Sequence, residues 1–103
     1  MIQIDPEAGL EILDARDYYE AERPGLGRNF LLAADGLLDV IERDWMAFPV
    51  HPFARTPDVR RAHFPRPWPY AFAFLVRAQE PLVLACEHLR RMPMYWAARL
   101  RSR

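Results

Sequence analysis

The sequence predicts an α+β domain in which two helices pack on an antiparallel sheet. Apolar residues recur at helical spacing in the first half of the chain and alternate at strand spacing over much of the second half. A proline-rich link separates the halves. With 103 residues, of which 51% are hydrophobic, the chain can bury one modest core. We therefore expect one domain over residues 1–103: an N-terminal strand, a two-helix hairpin, the sheet and a short C-terminal helix.

The N-terminal residues predict a short strand and then a helix. Residues 1–4 place isoleucines on either side of Gln3, and Asp5-Pro6 provides an N-cap and a proline at the first helical position. The helix is expected to run to about Glu22. Its apolar face is formed by Ala8, Ile12, Ala15 and Tyr19. Its opposite face carries Glu11, Asp14, Asp17 and Glu20, and we interpret this acidic row as a solvated surface.

The second helix follows a short connection at residues 23–27, whose proline and two glycines predict a turn between antiparallel helices. A phosphate-binding loop is excluded here because no strand precedes the segment and no Lys-Ser/Thr pair follows it. The helix is expected from about Arg28 to Asp44. Gly36 lies inside it and costs about 1 kcal/mol relative to alanine. A close approach to the first helix would explain this glycine.

The link at residues 45–57 is expected to be irregular, because prolines interrupt it, and packed down, because it contains aromatic residues. We expect His51 at its surface.

Three strands complete the prediction, at residues 58–64, 70–77 and 82–88, joined by turns at residues 65–69 and 78–80. Consecutive strands with short turns form an antiparallel meander. Strand alternation places Arg61 and His63 on one face and Arg60 on the other. We expect one face of the sheet to pack on the helical hairpin and the face with Arg61 and His63 to stay open.

The composition limits the possible functions. A single cysteine, Cys86, excludes a disulfide framework and a multi-cysteine zinc site, and it lies in an apolar run where we expect a buried hydrophobe. No secretion signal and no bilayer-spanning apolar stretch is visible, so a cytoplasmic protein without a membrane association is expected. We expect no metal site and no cofactor.

The zero net charge conceals a strong asymmetry. Residues 1–51 contain eleven acids and four arginines, whereas residues 52–103 contain three acids and ten arginines. Such a division indicates that one surface meets an anionic partner. Internal neutralisation between the halves is the alternative.

The most unusual stretch is residues 87–99, which combines a histidine, three arginines, a tyrosine and a tryptophan. Guanidinium groups pair with phosphates and aromatic rings stack on bases, so this pattern suits an anionic partner with flat faces. The alternative is a strand end, a turn and a short helix whose Tyr95 and Trp96 fill the core. We expect Trp96 to be structural, packing the last helix on the sheet.

The ordered pattern resembles the RelE/ParE family of bacterial toxins. The residues that carry the resemblance are Tyr18-Tyr19-Glu20, Arg23 to Gly27, Phe30, Phe64-Pro65, Tyr70, Phe72, His88 to Trp96 and Arg99. The resemblance covers nearly the whole chain. It implies the toxin of a type II toxin–antitoxin pair, associated with plasmid stabilisation, whose growth inhibition is neutralised by a small cognate antitoxin. The residues expected to contact the target or the antitoxin are Arg60, Arg61, His88, Arg90, Arg91 and Arg99.

The family's branches imply different targets. A ParE-like toxin binds DNA gyrase without catalysis, and the weak match to a catalytic set favours this branch. A RelE-like toxin cleaves mRNA in the translating ribosome. In that branch the catalytic candidates are Arg61, His63, Tyr95 and Arg91, although Ala71 and Leu89 occupy positions where the family has arginine. A third alternative is an inactive or domesticated binding module with the same fold.

Overall fold

A computed structural model describes residues 2–102, and it has the predicted α+β architecture. The elements in chain order are β1 (Gln3–Ile4), α1 (Pro6–Glu22), α2 (Leu26–Asp44), a 3-10 helix (Trp45–Ala47), β2 (Val59–His63), β3 (Tyr70–Arg77), β4 (Glu80–His88) and a second 3-10 helix (Ala97–Ser102). The predicted first strand includes Met1, which lies outside the described range, as does Arg103.

The four strands form one sheet in the order β1-β4-β3-β2. The β2-β3-β4 meander is antiparallel, as predicted. β1 pairs with β4 in parallel, so the sheet is mixed and not purely antiparallel. This pairing covers only Leu82 and Val83 of β4, because β1 has only two residues. Within residues 2–102, no strand pairs with the rest of that edge of β4.

The start of α1 follows from Asp5. Its backbone N–H donates to the Val83 carbonyl at 2.8 Å, and its carboxylate accepts from the Glu7 N–H at 2.9 Å. Asp5 therefore ends β1 and caps α1 in one residue, and Pro6 follows at the first helical turn as predicted.

The connection between the helices depends on Glu20, which the sequence predicted to be solvated. Its carboxylate accepts the N–H groups of Gly25 and Gly27 at 3.1 Å each. Gly25 has a φ of 89°, a left-handed conformation that glycine adopts without strain. Because Glu20 supplies the acceptor for the first turn of α2, this helix begins at Leu26, two residues earlier than expected.

The prediction for Gly36 was wrong, and Gly27 makes the close helix contact instead. A Cβ on Gly36 would meet no atom within 4 Å, whereas a Cβ on Gly27 would lie 2.7 Å from the Arg16 carbonyl oxygen. The two helices thus approach most closely at their connected ends. Gly36 has no packing role and only lowers the stability of α2.

Both faces of the sheet are covered. Phe30 and Ala34 of α2 pack with Phe72, Phe74 and Cys86 on the hairpin side. The opposite face, which was expected to stay open, has a second cluster formed by Val59, Ala73, Leu75, Leu84, Ala85 and Trp96. Leu84 and Ala85 both join this cluster because a bulge shifts the β3–β4 register between Ala73 and Phe74. The residues around Trp96 therefore form part of the fold.

The two glycines of α2 provide a matched pair for testing this packing. Gly27→Ala should lower the free energy of unfolding by about 1–3 kcal/mol, because a methyl group would overlap backbone. Gly36→Ala should raise it by about 0.5–1 kcal/mol, because alanine favours the helix and space is available. Urea denaturation of both variants measures these effects. Equal effects of both substitutions would contradict the proposed helix contact.

Candidate functional site

The second face of the sheet contains a buried carboxylate, Glu87 of β4, which is only 3% exposed. Arg61 Nε donates to its Oε2 at 2.8 Å, and the Trp96 indole N–H donates to its Oε1 at 2.8 Å. His51 Nε2 lies 2.9 Å from Oε2. These side chains come from β2, the C-terminal segment and the link before β2. Glu87 therefore joins three parts of the chain.

The contact between Arg61 and Glu87 depends on small residues in the strand between them. Arg61 lies opposite Ala73, and Glu87 lies opposite Ala71, on the two sides of β3. Two alanines leave room for the guanidinium to pass over β3 and meet the carboxylate. Ala71, where the resemblance implies arginine, thus permits an internal ion pair.

His51 is buried, with 1% exposure, and the prediction of a surface position was wrong. The Phe53 N–H donates to His51 Nδ1 at 3.2 Å, so the ring proton lies on Nε2 and is donated to Glu87. The backbone supports this placement, since the His51 N–H donates to the Val59 carbonyl at 2.8 Å. The partner carboxylate is 36 positions away in the chain, and no local pattern indicates it.

The charge state of Glu87 follows from this environment. Burial alone raises the pKa of a carboxyl, but hydrogen bonds from His51 and Trp96 and the charge of Arg61 outweigh it, so the pKa of Glu87 lies below its usual value. Glu87 is therefore an anion at neutral pH, and it neutralises Arg61.

A second carboxylate, Glu11 of α1, completes the unpaired edge of β4. Its Oε1 accepts the Cys86 N–H at 3.0 Å, and its Oε2 accepts the Tyr95 hydroxyl at 2.7 Å. Arg99 donates to both carboxylate oxygens at 3.1 and 3.2 Å and to the Leu84 carbonyl at 2.8 Å. Side chains thus satisfy backbone groups that a fifth strand would otherwise pair.

Glu11 corrects the interpretation of the acidic row on α1 as a solvated face. Asp14 and Asp17 are exposed, whereas Glu11 and Glu20 have structural hydrogen bonds. The same cluster fixes the state of Tyr95. Burial, followed by the hydrogen bond to Glu11, raises the pKa of Tyr95, so its proton stays on the hydroxyl and is donated to Glu11.

The four catalytic candidates lie in two separate groups. Arg61 and His63 are on β2, and Tyr95 and Arg91 lie beyond the far edge of β4. Two strand spacings, about 10 Å, separate the backbones of β2 and β4, although the Arg61 guanidinium crosses β3 to reach Glu87 of β4. His63 is exposed, and partial burial followed by the charge of Arg61 lowers its pKa, which leaves it neutral at pH 7. Arg91 stacks on the Tyr95 ring, with 3.6 Å between its guanidinium carbon and the ring centroid.

The candidate contact residues also divide into two groups. Arg60 donates to the Phe48 carbonyl and lies over the Trp45 ring, Arg61 pairs with Glu87, and Arg99 pairs with Glu7 and Glu11. These three arginines stabilise the fold. Arg90 and Arg91 are exposed at the end of β4, beside the half-buried His88. The accessible positive charge of this region is therefore concentrated after β4.

Two surface concavities flank this segment. The first, here called the C-terminal groove, has a volume of about 690 Å³ and lies between the link and the C-terminal segment. Its lining includes Phe53, Met94 and Leu100, with Arg55 and Arg101 among them. The second, here called the tyrosine cleft, has a volume of about 500 Å³ and lies between the end of α1 and the end of β4.

Among residues 2–102, no helix is long and apolar enough to cross a membrane, and no three His, Cys, Asp or Glu side chains are grouped to hold a metal ion. Neither a scan of protein-family models nor a search of curated proteins finds a match to this chain.

Glu87→Gln tests the central role of the buried carboxylate. We expect the free energy of unfolding at pH 7 to fall by about 3 kcal/mol, because the substitution leaves the half-buried Arg61 guanidinium against a neutral group. Glu80→Gln, at an exposed position of the same strand, is the matched control and should change the value by less than about 0.5 kcal/mol.

The effect of Glu87→Gln should depend on pH. The pKa of Glu87 is lower in the folded protein than its usual value of 4.5, so its stabilising contribution is present above pH 4.5 and is lost as the pH falls through the folded-state pKa. The difference in unfolding free energy between wild type and Glu87→Gln should therefore shrink below pH 4.5. Denaturation titrations across this range measure it, and a difference that grows on acidification would contradict this assignment.

Proposed function

We propose that this protein is the toxin of a type II toxin–antitoxin pair, acting in the bacterial cytoplasm by binding DNA gyrase, and that a cognate antitoxin neutralises it. The proposal rests on which candidate side chains already have hydrogen-bond partners within the fold and which are exposed to solvent. Two of the side chains that catalysis would require, Arg61 and Tyr95, form internal hydrogen bonds. Arg90 and Arg91 remain exposed after β4, although Arg91 also contacts Glu11 and the Tyr95 ring.

Ribonuclease chemistry requires a general base, cations near the developing phosphorane charge and a general acid, all around one phosphate. Of the candidate residues, His63 is exposed and available as a base, but Arg61 is paired with Glu87, and Arg91 is exposed but lies 3.5 Å from Glu11. The Tyr95 hydroxyl, the candidate acid, already donates to Glu11. A binding mechanism requires none of these groups to be free. The geometry therefore favours the gyrase-binding branch over the nuclease branch.

The C-terminal groove has the chemistry expected of an antitoxin contact. Its apolar lining includes Phe53, which is 54% exposed, and the guanidinium groups of Arg55 and Arg101 lie among these residues. An amphipathic segment could place apolar side chains in such a groove and carboxylates against the arginines.

The exposed cations after β4 provide the test of toxicity. Expression of the wild-type protein alone should arrest growth and inhibit supercoiling by purified gyrase. Joint substitution of Arg90→Glu and Arg91→Glu should raise the concentration needed for inhibition by at least tenfold, because charge reversal removes attraction to the target. Arg66→Glu, at an exposed turn position, is the matched control.

Tyr95→Phe separates binding from catalysis. It should retain growth arrest and destabilise the fold by only about 1 kcal/mol, because it removes one hydrogen bond to Glu11. Mapping of transcript 5′ ends after induction gives an independent readout. New ends within translated codons, or loss of arrest in Tyr95→Phe, would support the nuclease alternative. Absence of arrest in the wild-type protein would support an inactive module.

The antitoxin contact is tested with the product of the neighbouring short reading frame. Arg55→Glu and Arg101→Glu should weaken the complex and reduce its dependence on salt, because each removes a screened attraction at the groove. Arg61→Glu is unsuitable, because it would place a second carboxylate against buried Glu87. Isothermal titration at two salt concentrations measures the effect. Unchanged affinity in both variants would place the antitoxin elsewhere.

A further inference from the structure

The tyrosine cleft shares only Arg90 with the proposed gyrase contact, and none of its lining residues belongs to the C-terminal groove. Three elements form it: the last turns of α1, the turn before β3 and the end of β4. Its lining is Tyr18, Tyr19, Pro69, Tyr70, His88 and Arg90. Five of these six side chains are aromatic or can donate a hydrogen bond, and no carboxylate is among them.

The rings of this cleft differ in their accessibility. Tyr18 is 59% exposed and meets Tyr19 edge to face, with 5.2 Å between the ring centroids. Tyr19 in turn packs against Phe30, and Tyr70 packs edge to face on His88 at 5.0 Å. The inner rings are therefore held by the core, and Tyr18 presents an accessible aromatic surface at the mouth. Accessible rings at a cleft are stacking platforms for flat heteroaromatic groups.

The cleft also has donors for an anion. The Arg90 N–H donates to His88 Nδ1 at 3.1 Å, so the His88 ring proton lies on Nε2. This bond fixes the imidazole against the turn that follows β4. The Arg90 side chain is exposed, and within residues 2–102 its guanidinium has no hydrogen-bond or ion-pair partner. One cation and one ring N–H are thus available at the same end of the cleft.

The neighbouring acids do not cancel this charge. A smaller cleft of about 220 Å³ shares Tyr18, Tyr70 and His88 with the tyrosine cleft and contains Glu11 and Asp14. Glu11 is paired with Arg99 and lies 3.5 Å from Arg91. A further acid, Glu22, acts on Tyr18, where its charge and hydrogen bond raise the pKa of the hydroxyl, but it does not line the tyrosine cleft. The Arg90 end of the cleft therefore has a cation and no lining carboxylate, which favours an anion.

We propose that the tyrosine cleft binds a nucleoside phosphate, with its base stacked on Tyr18 and its phosphate at Arg90 and His88. A volume of about 500 Å³ is within the range of small-ligand pockets, which is about 300–1,000 Å³. The ligand is either a free mononucleotide or one residue of a single strand. This inference does not depend on the proposed function, because an inactive toxin with the same fold would retain the cleft.

The experiment measures binding by the full-length wild-type protein. Uridine and adenosine monophosphates are titrated into labelled protein and followed by amide NMR shifts, and a short fluorescein-labelled oligouridylate is followed by anisotropy. Saturable shifts at residues lining the cleft with the mononucleotides would identify a free nucleotide as ligand. Saturation by the oligonucleotide alone would identify a single strand. Absence of saturable binding by either probe would overturn the proposal.

Two pairs of variants make the assignment specific. Tyr18→Ala should weaken binding by about tenfold, as expected for loss of one stacked base, and Phe53→Ala, an exposed aromatic of the C-terminal groove, should not. Arg90→Ala should weaken binding, and the slope of log affinity against log salt for the oligonucleotide should become shallower by the equivalent of about one phosphate contact. Arg55→Ala should change neither the affinity nor this slope. Equal losses in test and control variants would mean non-specific attraction and overturn the proposal. Circular dichroism confirms that each variant is folded.

Discussion

The buried carboxylate of Glu87 is the interaction on which most of the second face of the sheet depends. It receives hydrogen bonds from the link before β2, from β2 and from the C-terminal segment. A buried carboxylate with missing donors costs several kcal/mol, so the three contacts are favourable only together. This mutual dependence explains why an irregular link with several prolines lies at a defined place on the sheet.

At the edge of β4, side chains from distant parts of the chain again satisfy polar groups that would otherwise be unpaired. An open strand edge exposes backbone groups that can pair with another chain. Beyond the two residues paired with β1, this edge is occupied by Glu11, Arg99 and Tyr95. The arrangement ties the C-terminal segment to α1 as well as to the sheet. It also closes this edge to strand addition.

The sequence could predict those parts of the fold that depend on local patterns. The Asp5-Pro6 cap, the helical stripes and the antiparallel meander all follow from neighbouring residues, and the structure confirms them. The positions of His51, Glu11 and Glu20 were not predictable in this way. The partners of His51 and Glu11 are brought near by tertiary structure, whereas Glu20 binds N–H groups of the connection that follows its own helix. An acidic residue on a helix looks the same in the sequence whether its partner is water or a backbone N–H. Glu87 had one usable indication, since it is an acid that continues an apolar strand run.

The candidate site was predicted less completely than the fold for a related reason. Sequence shows where arginines occur, but not which of them already have partners. Part of the charge asymmetry between the halves is neutralised internally, because Arg99 pairs with Glu7 and Glu11 of the acidic half. Arg61 instead pairs with Glu87, a carboxylate of its own half. Among the described residues after β4, the exposed arginines are Arg90, Arg91 and Arg101. A residue committed to the fold cannot also reorganise around a reacting phosphate without loss of stability, whereas an exposed cation can contact a partner at little cost. This difference is the physical basis for favouring recognition over catalysis in this chain.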